Sequence, residues 1–356
     1  MQVAPKAQLR AKFLPVLITL GIFLVVALIS TMTNSPLIDR ITTVMFINVI
    51  MVLGLQIFMG NSGLLSFAHV GFMGIGAYTS ALFSLPPEQK LMSLPSLYEP
   101  LQGLHMGFLP AVFAGALVTA IFAAIVGFPL MRLSDTAAAI ASFALLVIVH
   151  VVLSQWTAMT NGPRTLFGLL KYTDMWTAAS WAFIIIVVAF LFKESTLGMK
   201  LRASRDNMHA ADAIGINVIR ARWLAFTISA FICGMSGALW AHFITSFQPD
   251  AFYMSMTFIV LTMLIVGGPQ TVSGTAIGVL IITIATESLR QVENTLGVSS
   301  WFPFDTVGMT EILLAIVLIF MLAFKPGGLV ETDELGSGRK KLSKNGNGNG
   351  ASARKA

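Results

Sequence analysis

Apolar residues run along this 356-residue chain in long blocks separated by short polar breaks. A helix rises 1.5 Å per residue, so about 20 apolar residues cross a hydrocarbon layer of about 30 Å. The blocks predict ten spans, at 14–31, 41–59, 64–85, 108–131, 136–157, 175–192, 223–246, 256–268, 272–289 and 307–324. The eighth is short, and Gly267-Gly268-Pro269-Gln270 follows it. Residues 256–289 therefore read as two helices meeting at a break, with a re-entrant arrangement as the alternative. The pattern is that of an all-α polytopic membrane protein of about ten helices, some interrupted by Gly or Pro. Lys6, Arg10 and Lys12 precede the first block as they would in a signal peptide. Its apolar run is longer than a signal peptide's, and no small-x-small cleavage site follows, so it reads as a retained helix.

Composition supports lipid as the solvent. Apolar residues make up 56% of the chain and charged residues only 11%, against about 25% charged in a soluble domain. Mean hydropathy is +0.82. A soluble enzyme, a nucleic-acid binder and a disordered protein are excluded. The net charge of +6 is better read as basic cytoplasmic loops than as a nucleic-acid footprint, because no soluble domain is present to carry one. With the N-terminus inside and ten spans, seventeen Lys and Arg fall inside. They lie at the N-terminus, at Arg132, within 193–222 and from Lys325 onward. Only Arg40, Lys90, Arg164, Lys171 and Arg290 fall outside. This predicts a multi-pass membrane protein with both termini cytoplasmic. Residues 1–13 form an N-terminal segment, 14–330 the membrane domain, and 331–356 a disordered basic tail rich in Gly and Asn.

No catalytic constellation stands out, and no cofactor or metal is expected. Cys233 is the single cysteine, which allows neither an internal disulfide nor a Cys-based metal cage. Glu287 and Glu311 lie near outer span ends and Asp135 at an inner end, whereas ion-coupled carriers keep carboxylates deep in the bundle. His69, His150 and His242 fall in or beside spans and read first as interhelical hydrogen-bond partners.

Three stretches carry more information. In 60–78, GNSGLLSFAHVGFMGIGAY, small residues permit close helix packing, while Asn61, Ser62, Gly63, Ser66 and His69 also suit a broken helix beside a substrate path. Composition alone does not separate these readings. Gly60-x-Ser62-Gly63-x-Leu65 is faintly echoed by Gly234-x-Ser236-Gly237-x-Leu239, as in transporters built from repeats. In 256–278, Gly267, Gly268 and Pro269 mark a break, and Gly274 and Gly278 form a GxxxG pair. In the basic loop 193–222, Asp206 is expected to cap a short helix over 207–214, with Gly215 ending it. His209, Ala210 and Ala211 lie on that helix, and its small face suits docking in a partner's groove.

Together these stretches resemble the M-type permease subunits of bacterial branched-chain amino-acid ABC importers. Gly63-Leu64-Leu65-Ser66-Phe67-Ala68-His69 followed by Phe72-Met73-Gly74-Ile75-Gly76-Ala77-Tyr78 is similar to the family's G-x-x-S-x-x-H and F-x-G-I-G-A-Y. Ala210-Ala211-Asp212-Ala213-Ile214-Gly215-Ile216-Asn217 is similar to its A-A-x-A-L-G-I-N, and Lys325-Pro326-Gly327-Gly328-Leu329 also matches. The chain departs from the family's pattern at Pro269, Gln270, Thr271 and Thr275, and at Asn161–Thr165. The resemblance implies a non-catalytic membrane subunit. It implies a second homologous permease subunit, two cytoplasmic ABC ATPases, an extracytoplasmic substrate-binding protein and membrane lipid as partners, and no nucleic acid. Asn61, Ser62, Gly63, Ser66, His69, Gly267 and Gly268 would shape the substrate path, and Asp206, His209, Ala210, Ala211 and Gly215 would serve ATPase coupling. The chain has no G-x-x-x-x-G-K-[ST] phosphate loop. Urea, short amides or another small polar solute remain alternative substrates, and an ion-coupled carrier or channel the alternative class.

Overall fold

The computed structural model describes residues 5–298, 309–324, 328–330 and 334. Its helices are α1 (Pro5–Thr33), α2 (Pro36–Ser62), α3 (His69–Ser84), α4 (Pro87–Ser93), α5 (Glu99–Gln102), α6 (Phe108–Leu130), α7 (Asp135–Gln155) and α8 (Thr157–Thr160). They continue with α9 (Met175–Glu194), α10 (Thr196–Asp206), α11 (Met208–Ala213), α12 (Val218–Ile244), α13 (Met254–Gly267), α14 (Val272–Val298) and α15 (Met309–Phe324). A 3-10 turn at Pro249–Phe252 leads into α13. Among the described residues, strand pairing is confined to one antiparallel bridge between Leu166 and Phe247.

Among the described residues, eight helical segments are at least 18 residues long and apolar enough to cross a membrane, one of them running from the 3-10 turn at Pro249 through α13 to Gly267. The remaining two predicted spans, 64–85 and 307–324, contain the 16-residue helices α3 and α15, about 24 Å long. The count of ten is thus approximate. At α3 the cause is local, because Gly63–Ala68 is irregular and the helix begins only at His69. Residues 307 and 308 lie outside the described residues, as do 331–333 and 335–356 of the predicted tail.

Helices α2 and α12 form the centre. Of α2's span 89% is buried by the rest of the chain, against 28% for α1. A helix that is apolar all round must be covered by protein or lipid. Here α9, α12 and α14 cover α2, while α1 leaves Leu17, Val25 and Ile29 exposed. Helices α3 and α12 meet at glycines. A Cβ on Gly76 would run into the Gly234 backbone, and one on Gly237 into the Met73 carbonyl. In lipid this close approach replaces the hydrophobic drive as the source of packing energy. The 60–65 and 234–239 echo does not mark a repeat. The first is a helix end with its turn, and the second is the middle of α12.

At one end of the bundle α4 and α5 fold over the span ends. Lys90 there is fully buried, donating to the carbonyls of Leu101 (3.0 Å) and Leu104, and burial pushes its pKa down. His242 joins α12 to Ser80 of α3 at 3.1 Å. His150 lies 3.5 Å from Asp250 and stacks on Tyr253 at 4.0 Å. His69 instead bonds locally, to Ser66. Among the described residues no carboxylate is fully buried.

Candidate functional site

The opposite end of the bundle holds both span interruptions. Asn61 and Ser62 close the last turn of α2 by bonding back to the carbonyls of Ile57 (3.0 Å) and Phe58 (2.7 Å). Gly63 then leaves the helix in the left-handed region, φ 75°, where glycine carries no Cβ penalty. The Leu64 amide turns to the Ser62 hydroxyl, 3.3 Å. Ser66 Oγ lies 2.9 Å from His69 Nδ1, and the Phe67 amide donates to Ser142 of α7, 3.1 Å. His69 sits among Phe58, Phe72 and Phe226, with ring centroids 5.4–5.7 Å away. Asn61, Ser62, Ser66 and His69 are all buried inside the chain, so they hold the irregular backbone in place. Beside them Leu64, Leu65, Phe58 and Met131, with Ser66 and Ser142, line a narrow cleft. In this conformation it has no room for a whole ligand.

The second interruption follows α13. Gly268 has φ 110°, and Thr275 Oγ1 donates to the carbonyls of Thr271 (2.8 Å) and Gly268 (3.2 Å). The two breaks touch. Gln56 Nε2 donates to the Pro269 carbonyl at 3.2 Å, and Gly60 packs so closely on that oxygen that no Cβ would fit. The segment 328–330 lines the break, with the amides of Leu329 and Val330 donating to Val266 (2.9 Å) and Gly267 (3.3 Å). Glu334 caps α14, accepting from the amides of Val272 (2.9 Å) and Ser273 (3.0 Å), from the Ser273 hydroxyl and from Lys193 Nζ. Glu334, which the sequence assigns to the polar tail, is thus held by a helix N-terminus and a cation.

The basic segment 193–222 is mostly helical. Ser195 caps α10 by accepting from the Gly198 amide. The short helix is there, but its boundaries differ from expectation. Asp206 is the last residue of α10, and Asn207 is the cap, accepting from the Ala210 amide at 3.0 Å. Leu201 and Ser204 are buried and seat α10 against α2 and α12. Helix α11 then ends at Gly215, φ 84°, with the Gly215 and Ile216 amides bonded to Asp212 and Ala211. Ala211 is 2% exposed and seats α11 on the chain itself, so it is not part of the outward face. His209, Ala210, Ala213 and Gly215 face outward with Met208 and Ile214, the last 76% exposed. Asn217 caps α12 by accepting from the Arg220 amide, and Arg222 pairs with Asp135 of α7 at 3.0 Å.

Three residues that the sequence did not single out join these parts. Gln56 signals itself as an amide inside an apolar span. Arg205 reads as one more flanking charge, and Glu334 as part of a polar tail, so neither has a local signature.

A family model described as "branched-chain amino acid transport system / permease component" matches residues 37–322. LivM of Escherichia coli K12, a high-affinity branched-chain amino acid transport system permease protein, is 26% identical over 347 residues, covering 87% of this chain and 74% of LivM. LivM of Salmonella typhimurium is 26% identical over 324 residues, covering 82% and 69%. NupC of Lactococcus lactis, a nucleoside ABC transporter permease protein, is 26% identical over 221 residues, covering 59% and 69%. No solved structure matches.

Proposed function

Because this chain belongs to the family of branched-chain amino acid transport system permease components, we propose that it is a membrane-spanning subunit of an ATP-driven importer for these amino acids. A second, homologous permease subunit completes the translocation path. Two cytoplasmic ATPases hydrolyse ATP, and an extracytoplasmic binding protein delivers the substrate. The end carrying α10, α11 and the two interruptions faces the cytoplasm, as the distribution of Lys and Arg favours. Both chain termini lie on that side of the inner membrane.

The observation that carries this reading is α11. It is a short helix capped at both ends, with Met208, Ile214 and the small residue Ala210 exposed beside a basic segment. Exposed apolar residues on a rigid short helix fit a partner's groove. His209, Ala210, Ala213 and Gly215 belong to the same face, and Asp206 stands at its edge. ATPase closure moves α11, and the breaks at Asn61–His69 and Gly267–Gly268 convert that movement into a change of access. Irregular backbone at membrane depth survives only where protein or water covers it. The cleft at Ser66 and Ser142, with its aliphatic walls, suits a branched side chain when it opens.

The test is uptake by vesicles holding the whole importer. ATP-dependent entry of labelled leucine is expected, with no ATP hydrolysis by this chain purified alone. Entry of a nucleoside without leucine would overturn the substrate, in favour of the relation to NupC. Leucine entry without ATP or partner subunits would overturn the mechanism in favour of a self-contained carrier.

A further inference from the structure

We propose that Arg205 is the positioning residue that ties the coupling helix to both span interruptions, an inference that rests on the coupling role of α11. Arg205 is the penultimate residue of α10, and Asn207, the cap of α11, lies two residues on. Its Nη1 donates to the Gly60 carbonyl of α2 at 2.8 Å. That carbonyl lacks its helical partner, because the chain leaves the helix at Gly63 and the Leu64 amide bonds to Ser62 instead. Helix ends leave such carbonyls unpaired, and a cation there also meets the negative end of the helix dipole.

The Arg205 stem is held as firmly as its head. It lies against Gly63, where a Cβ would come within 2.6 Å of Cγ. On the other side of Gly60 lies the Pro269 carbonyl, with no room for a Cβ between them. Gln56 fixes the same carbonyl. A displacement of α10 and α11 as one body therefore drags the end of α2, and with it the Pro269 peptide at the start of α14. Packed contacts of this kind move together because they cannot compress. An arginine suits the task, since its planar fork and long stem fix both direction and reach.

The assembled importer in vesicles tests this, with leucine import counted per ATP hydrolysed. Arg205→Met keeps most of the stem and removes the donors, so the complex should assemble and the import ratio should fall at least tenfold. Arg205→Lys should recover part of it, and Arg202→Met, on the same helix, should match the parent. Gly63→Ala attacks the contact from α2 and should uncouple in the same way. A parental ratio in Arg205→Met overturns the proposal. So does failure of both Arg205→Met and Gly63→Ala complexes to assemble, which makes the bond structural only; if one fails, the ratio in the other decides. Ile214→Asp tests the coupling reading itself. A parental ratio there removes that reading, whereas an uncoupled Ile214→Asp beside a coupled Arg205→Met removes the Arg205 proposal alone.

Discussion

Substituting Glu334 should loosen the first turn of α14. The side chain is 13% exposed, and its carboxylate accepts from two backbone amides, the Ser273 hydroxyl and Lys193. Hydrogen bonds to a charged group contribute about 1.5–3 kcal/mol each, and a helix N-cap about 1. Water can reach part of this site after truncation, so Glu334→Ala should cost the local turn about 3 kcal/mol. At 1.4 kcal/mol per factor of ten, amide exchange at Val272 and Ser273 should accelerate roughly a hundredfold. Glu334→Gln keeps one acceptor oxygen but turns an NH2 group toward a donor, so roughly tenfold is expected. Lys193→Met leaves the two amide bonds in place and should change exchange by less than about tenfold. Hydrogen–deuterium exchange of the protein in nanodiscs, read by mass spectrometry on peptides across 268–276, measures all three. Parental exchange in Glu334→Ala would refute the cap. An effect of Lys193→Met as large as that of Glu334→Ala would show that the ion pair, not the cap, holds the turn.

Two further outcomes follow from burial. Arg222 is 2% exposed while its partner Asp135 is 67% exposed. Asp135→Asn therefore strands a buried cation and should lower stability by about 2 kcal/mol, whereas Arg222→Met lets Asp135 rehydrate and should cost about 1 kcal/mol or less. Thermal unfolding in detergent ranks them, and the reverse order would refute the asymmetry. Cys233 is fully buried against α2, with Sγ 3.7 Å from the Met51 carbonyl, so a membrane-permeant maleimide should label it only after unfolding; rapid labelling of the folded protein would contradict the packing of α12 on α2.

The spans were legible because lipid imposes one demand that local sequence must meet, namely a run of apolar residues long enough for a helix to satisfy its own backbone. The break after α13 was legible for a related reason, since Gly267, Gly268 and Pro269 resist helix continuation. Cap placement was less so. Asp206 and Asn207 are adjacent and chemically alike as caps, and only the burial of Leu201 and Ser204 decides that α10 runs through Asp206. Ala211 reads like Ala210 and Ala213 in sequence, yet one is buried and the others are exposed. The difference is which side of a six-residue helix meets α10 and α12.

By itself, then, the sequence determined the solvent, the approximate number of helices, the asymmetry of charge and the regions, though not the residues, where helices stop. Each of these depends on neighbours within a turn or two, or on composition summed over a span. Only the tertiary structure decided what those stops touch. Gly60 meets Pro269 across 209 residues of chain, Arg205 meets Gly60 across 145, and Glu334 meets Ser273 across 61. Such pairings rest on single carbonyls and amides freed by broken helices. Every residue has such groups, so their partners are chosen by where packing brings the chain, not by residue type.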